Sequence, residues 1–259
     1  MTLRDTLAAG DEALGFWLSM PGFVGAEIAA RQPVDYICVD TQHGAIDYLT
    51  SVSMIQAIEL AGGTPIVRVP WNEPGIIGKT LDAGAHGVVV PMVNTRAEAE
   101  AVVRSARYVP EGARSWGPIM ASQRHPDNRA WAHETISVIP MIETRQAIDN
   151  LDEILSVPGI DAIYVGPADL SLSLGLEPSG NADETVLDDA LATIVAACTR
   201  HGVTPGIHSS GSVAQRRREQ GFRMITIGSD ALALRAGYAG ELANAAGQGD
   251  ADAASGAIY

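Results

Sequence analysis

Two stretches decide the fold: Ser137-Val-Ile-Pro-Met-Ile-Glu143 and Asp161-Ala-Ile-Tyr-Val-Gly-Pro-Ala-Asp169. Each is an apolar, β-rich run that stops on or just before an isolated acid, where a helical pattern begins. Near-continuous apolar strands indicate a parallel sheet covered on its outer side. Such sheets keep their ligands at the carboxyl ends of the strands. Glu143 and Asp169 are therefore expected together on that edge, and two carboxylates there suggest a divalent cation.

Outward from these stretches the same alternation recurs. Strands are expected at Ala13 to Ser19, Tyr36 to Asp40, Pro65 to Val69, Gly87 to Pro91, Val138 to Glu143, Asp161 to Gly166, Thr204 to His208 and Met224 to Gly228. Helical patterns lie between them, including Tyr48 to Ala61, Ala97 to Tyr108, Arg145 to Ser156, Glu184 to His201 and Val213 to Gln220, several introduced by Ser, Thr or Asn caps. Eight βα units in a 259-residue chain fit a (β/α)8 TIM barrel better than an open doubly wound sheet.

No linker splits the chain, so residues 1–243 read as a single barrel domain. Residues 244–259 are too poor in large apolar groups to pack firmly, and this tail is expected to fray or to be borrowed by a neighbouring subunit. The segment Val109 to His133 is long for a βα connection. It carries Arg114, Trp116, Arg124 and His125, and is expected to form a lid or a subunit contact.

Seventeen basic against thirty-one acidic side chains give a net charge of −14, which disfavours nucleic acid and anionic membrane as partners. Two cysteines, Cys38 in a strand-like run and Cys198 in a helical one, cannot build a disulfide framework and read as buried thiols in a reducing compartment. No basic and apolar leader opens the chain, and no apolar run reaches the roughly 18 residues of a membrane span. A cytoplasmic protein is expected.

Chemistry is sought at the strand ends. Strand two leads into Asp40-Thr-Gln-His43-Gly44, strand three ends near Arg68, strand five at Glu143, and strand six runs into Gly166-Pro-Ala-Asp169. A cation, an imidazole, a guanidinium and a glycine-flanked turn are what a 2-oxo acid requires. The metal would act as a Lewis acid while negative charge grows on the ketone oxygen, Arg68 would hydrogen-bond that oxygen, and His43 would move a proton near neutral pH. Each residue also has a plain structural reading. Asp169 can be a helix N-cap, His43 a packed turn residue, and Arg68 one half of a structural ion pair. The only lysine, Lys79, falls in a helical stretch between Pro74 and Ala83, facing away from the mouth, which disfavours a Schiff-base route.

From Gly15-Phe-Trp through Val39-Asp-Thr-Gln-His-Gly44, Val67-Arg-Val-Pro70, Leu81-Asp-Ala-Gly84, Val90-Pro-Met-Val93, Met141-Ile-Glu-Thr144 and Gly166-Pro-Ala-Asp-Leu-Ser171 to Ile207-His-Ser-Ser-Gly211, the chain resembles the metal-dependent 2-oxo acid aldolases of the HpcH/HpaI type, in the pyruvate/phosphoenolpyruvate barrel superfamily. The resemblance implies that Glu143 and Asp169 bind Mg²⁺, Mn²⁺ or Co²⁺. It implies that Arg68 stabilises the enolate and that His43 relays a proton, oriented by Asp82. It also implies that the N–H groups of Ala168 and Asp169, beside Gly166, hold the substrate carboxylate. Trp17 would line the pocket, and the subunits would assemble as a hexamer sharing pocket walls. Two positions depart from relatives: Gln42 stands where an acid commonly precedes the histidine, and Met141 where some carry glutamine.

The function implied is reversible cleavage of a 4-hydroxy-2-oxo acid to pyruvate or hydroxypyruvate plus an aldehyde. A coenzyme A thioester lyase is one alternative, although the chain offers only Arg216-Arg217-Arg218 as a basic patch for the nucleotide. A non-catalytic barrel that binds the oxo acid is another, and it would not exchange the methyl protons of pyruvate.

Overall fold

The computed structural model describes residues 1–178 and 184–247. Eight parallel strands alternate with helices around one barrel. The strands are β1 (Ala13–Leu18), β2 (Tyr36–Asp40), β3 (Pro65–Arg68), β4 (Gly87–Val90), β5 (Ser137–Pro140), β6 (Ala162–Val165), β7 (Thr204–His208) and β8 (Met224–Ser229). The helices are α1 (Leu3–Ala9), α2 (Phe23–Ala30), α3 (Tyr48–Leu60), α4 (Pro74–Asp82), α5 (Arg96–Ala106), α6 (Ile119–Arg124), α7 (Asn128–Thr135), α8 (Arg145–Asp149), α9 (Leu151–Leu155), α10 (Pro167–Ser173), α11 (Glu184–His201), α12 (Ala214–Glu219) and α13 (Asp230–Ala245).

Neighbouring strands run β5-β4-β3-β2-β1-β8-β7-β6. The seam between β5 and β6 closes through the parallel bridge Met141 to Tyr164, with Ile142 N–H donating to Tyr164 O at 2.9 Å and Asp161 N–H to Val138 O at 3.1 Å. The sheet is thus a (β/α)8 barrel, as the strand pattern predicts.

Strand parity sorts the side chains. Ile37, Val39, Val67, Val88, Val90, Val138, Ile163, Val165, Ile207 and Ile225 point outward into one large core with the helices. Ala13, Trp17, Tyr36, Cys38, Ile66, Val89, Ile139, Met141, Ala162, Tyr164 and Met224 point inward, joined by Leu3 and Leu7 of α1 beneath them. Two tyrosines fill the axis: Tyr36 Oη lies 3.0 Å from Thr226 Oγ1, and Tyr164 Oη bonds the same hydroxyl. Gly15 makes room for this filling, since a Cβ there would come within 2.3 Å of the Tyr36 ring. Both cysteines are buried and free.

The segment Val109 to His133 contains α6 and α7, the latter N-capped by the Asp127 carboxylate accepting from Ala130 N–H at 3.4 Å. α7 packs on α1, and α6 on α4. Arg145 to Ser156 forms two short helices rather than one, because the chain leaves helical geometry at Asn150 (φ −104°, ψ 13°). α13 runs to Ala245, past the expected boundary at residue 243, with Ser229 Oγ accepting from Leu232 N–H as its cap. The remainder of the expected tail, residues 248–259, lies outside the described residues. None of the α13 side chains is buried, and no described helix is long and apolar enough to cross a membrane.

Candidate active site

The inward parity that places Tyr36 and Cys38 in the barrel puts Asp40 at the carboxyl end of β2. The same parity places Arg68 after Ile66, Glu143 after Met141, Gly166 after Tyr164, and His208 at the end of β7. Asp40 and Arg68 are register partners across β2 and β3. Arg68 donates Nε to Asp40 Oδ1 at 2.9 Å and Nη2 to Oδ2 at 2.5 Å, a bidentate fork that is largely buried. Asp40 also accepts from Trp17 Nε1 at 3.1 Å and from the N–H groups of Gln42 and His43 at 3.0 and 3.3 Å. Burial alone would raise its pKa, yet these donors hold the carboxyl below the usual aspartate range. Burial likewise opposes the charge on Arg68, and Asp40 reverses the effect, keeping the guanidinium above its ordinary value.

Trp17 forms the floor. Its ring stacks on Tyr164 with centroids 5.4 Å apart, meets His208 edge-on at 5.2 Å, and lies 5.0 Å beneath the Arg68 guanidinium carbon. Burial, with the Arg68 charge beside it, pushes the His208 imidazole down to about 4, so this ring is neutral at physiological pH. His43 is exposed at the rim. Its backbone is tied to Asp40 while, among the described residues, no hydrogen bond or ion pair engages its ring. Gln42 sits beside it with a buried Oε1 that has no partner.

Glu143 is 1% exposed. Its Oε1 accepts from Met92 N–H at 2.7 Å, and Met92 itself holds a left-handed conformation, φ 56°, rare for a side chain without local hydrogen bonding. The other oxygen, Oε2, is buried with no partner. Burial pushes this carboxyl up to about 7, the nearby negative charge of Asp169 adds to the effect, and the Met92 N–H opposes it. Gly166 keeps the space around Oε2 open, since a Cβ there would lie 2.6 Å from that oxygen.

Asp169 occupies the first turn of α10 and is exposed. It does not cap that helix: the N-cap is Gly166, with no side-chain capping bond, and Pro167 follows at the first helical position. The first-turn N–H groups, including those of Ala168 and Asp169, have no partner within an α-helix. An orphaned buried oxygen, a second carboxylate close enough to perturb it, and a glycine cradle fit a hard divalent cation with oxygen ligands.

Two other sequence-derived expectations are placed as follows. Asp82 ends α4, close to the amino end of β4, where its Oδ1 accepts from Arg114 Nη2 at 2.6 Å; the structure does not bring it to His43 within one chain. Lys79 lies on α4 in the outer ring, its ammonium 4.2 Å from the Tyr48 ring centroid. Two further residues of the site, Asp40 and His208, carry no motif of their own. Both were signalled by strand parity, two residues beyond the inward Cys38 and Gly206.

A family model described as HpcH/HpaI aldolase/citrate lyase matches residues 14–236. The chain is 42% identical over 229 residues to a hydroxypyruvate/pyruvate aldolase of Rhizorhabdus wittichii, covering 88% of this chain and 91% of the relative. It is 34% identical over 258 residues to a 4-hydroxy-2-oxo-heptane-1,7-dioate aldolase of Salmonella arizonae, covering 94% and 97%. A crystal structure of an HpcH/HpaI aldolase/citrate lyase family protein from Burkholderia cenocepacia superposes with a TM-score of 0.86 at 30% identity, covering 94% of this chain and 98% of that one.

Proposed function

The chain belongs to the HpcH/HpaI aldolase/citrate lyase family and is a carbon–carbon lyase, and from that premise we propose that it cleaves 4-hydroxy-2-oxo acids reversibly to pyruvate or hydroxypyruvate and an aldehyde, with Glu143 and Asp169 holding a divalent cation. The observation that carries the reading is the partnerless Glu143 Oε2, enclosed beside Gly166 and within the field of Asp169. A buried oxygen with no donor costs about 1–3 kcal/mol, an expense readily explained where a ligand supplies the missing contact.

When bound, Mg²⁺, Mn²⁺ or Co²⁺ would supply Lewis acidity toward the ketone and carboxylate oxygens of the oxo acid. The chain's own residues do the rest. Two of the five guanidinium N–H donors of Arg68 are committed to Asp40, which fixes the plane of the fork. The others are free to meet the oxygen on which negative charge develops. The Ala168 and Asp169 N–H groups receive the substrate carboxylate, as helix first turns receive anions. His43, exposed at the rim and steered only through its backbone, takes the proton of the 4-hydroxyl as the carbon–carbon bond breaks. Trp17 and Met141 supply an apolar floor that keeps water from the enolate.

The outward-facing α13, with Leu232, Leu234, Tyr238 and Leu242 exposed, supports a homo-oligomer, which we take to be the family-like hexamer. Exchange of pyruvate methyl protons with deuterated water, followed by NMR with each of the three cations, tests the reaction. Exchange that requires added metal and stops with chelator is expected. Exchange indifferent to chelator, or none with any cation, would reject the assignment.

A further inference from the structure

A second group of ligand-type side chains sits at the opposite rim, remote from Glu143 and Asp169. Glu59 comes from the last turn of α3, His86 from the residue just before β4, and His125 from the end of α6. One carboxylate oxygen and one nitrogen from each ring all lie within 4.8 Å of one another. Both imidazoles address the same oxygen: Glu59 Oε1 is 3.5 Å from His86 Nε2 and 2.8 Å from His125 Nε2. The other oxygen, Oε2, is paired with Arg124, whose Nη2 donates to Ala83 O at 2.8 Å. Trp131 of α7 backs the group, stacked on His125 at 4.0 Å and meeting His86 edge-on at 5.3 Å.

We propose that Glu59, His86 and His125 form a transition-metal site that fastens the α6–α7 excursion to the underside of the barrel. A tetrahedral ion with bonds near 2.0–2.1 Å holds its ligand atoms roughly 3.3 Å apart, close to the 3.5 and 2.8 Å that separate Glu59 Oε1 from the two imidazoles, with all three ligand atoms inside 4.8 Å. Two imidazoles and one carboxylate suit Zn²⁺, Co²⁺, Ni²⁺ or Cu²⁺ and are poor ligands for Mg²⁺. This sets the group apart from the all-oxygen pair at the mouth. Arg124 on the outer oxygen keeps the carboxylate ionised and oriented, the part that outer partners commonly play around bound ions. Trp131 fixes the plane of the His125 ring. Among the described residues no backbone–backbone hydrogen bond joins α3, the β4 entry and α6, so a bound ion would tie these elements at one point.

The test uses the full chain carrying Glu143→Gln and Asp169→Asn, which removes the mouth ligands, titrated with CoCl₂, ZnCl₂ and CuCl₂. One equivalent of Zn²⁺ or Co²⁺ is expected to remain bound, with nitrogen splitting in the Cu²⁺ electron paramagnetic resonance spectrum. Adding His86→Gln or His125→Gln should weaken binding at least tenfold; glutamine can still donate to Glu59, which preserves the packing. No bound equivalent, or affinity unchanged by both glutamine variants, overturns the proposal. The otherwise unsubstituted chain gives an independent reading: two equivalents of Zn²⁺ falling to one in His125→Gln supports the site, and the same number in both chains refutes it. Neither result depends on turnover, so the proposed function stands or falls separately.

Discussion

Asp161 and Glu143 are acids on adjacent strands at opposite ends of the same barrel seam, and their surroundings differ completely. Asp161, entering β6, accepts from Arg4 Nε at 2.7 Å on one oxygen and from Arg107 Nη2 and Val138 N–H, both at 2.8 Å, on the other. It staples α1 and α5 to the place where the barrel closes. Glu143, leaving β5, has a single donor and one oxygen facing nothing. A carboxylate with both oxygens engaged, as in Asp161, holds a fold together. One left underfilled in a buried place, as in Glu143, is where a bound group could supply the missing contact.

Substitution separates the two ends. Glu143→Gln or Asp169→Asn is expected to lower turnover by about a thousandfold or more, in the range of removing a group that stabilises transition-state charge. Glu143→Gln should leave the metal-free protein at least as stable in urea, since it removes an uncompensated buried charge. A variant that turned over normally, or one that unfolded, would erase the distinction. Asp161→Ala should do the reverse, costing about 3 kcal/mol because Arg107 is left buried without its partner, with turnover per folded molecule unchanged. Urea titration paired with active-site counting reads both quantities.

The smallest effect concerns His208. Its folded pKa of about 4 lies below the ordinary 6.5. Below pH 6.5 the unfolded chain therefore binds a proton that the folded state refuses, and stability falls as pH drops toward 4. After allowance for partial solvent screening, the loss is about 1 kcal/mol. His208→Gln should flatten that slope, as measured by urea midpoints at pH 7, 5.5 and 4.5. An unchanged slope would remove His208 from the low-dielectric floor.

Legibility followed the range of the forces involved. Eight apolar runs and an inward–outward parity are local properties, so the barrel and the emergence of Glu143, Arg68 and Asp169 at one rim could be read from the residues themselves. Asp40 stands in the strand-two motif without a legible role, because its meaning lies in a register partner 28 residues away. Asp82 reads as a companion to His43 only through family likeness; in this chain it meets Arg114, a contact 32 residues distant that no periodicity encodes. The Val109 to His133 segment stands out in the sequence by its length alone, while its helices depend on an Asp127 cap and on docking against α1 and α4. The partnerless oxygen of Glu143 has no sequence signal at all, since it is defined by what surrounds it.

The tyrosine pair meeting at Thr226 has a kinetic meaning as well as a packing one. Among the described residues these side chains plug the barrel axis, so under the proposed function reactants and products would share the rim that carries Asp169 and His43. With one shared opening, a departing oxo acid would have to clear that rim before the next molecule settled, so product is expected to compete with substrate.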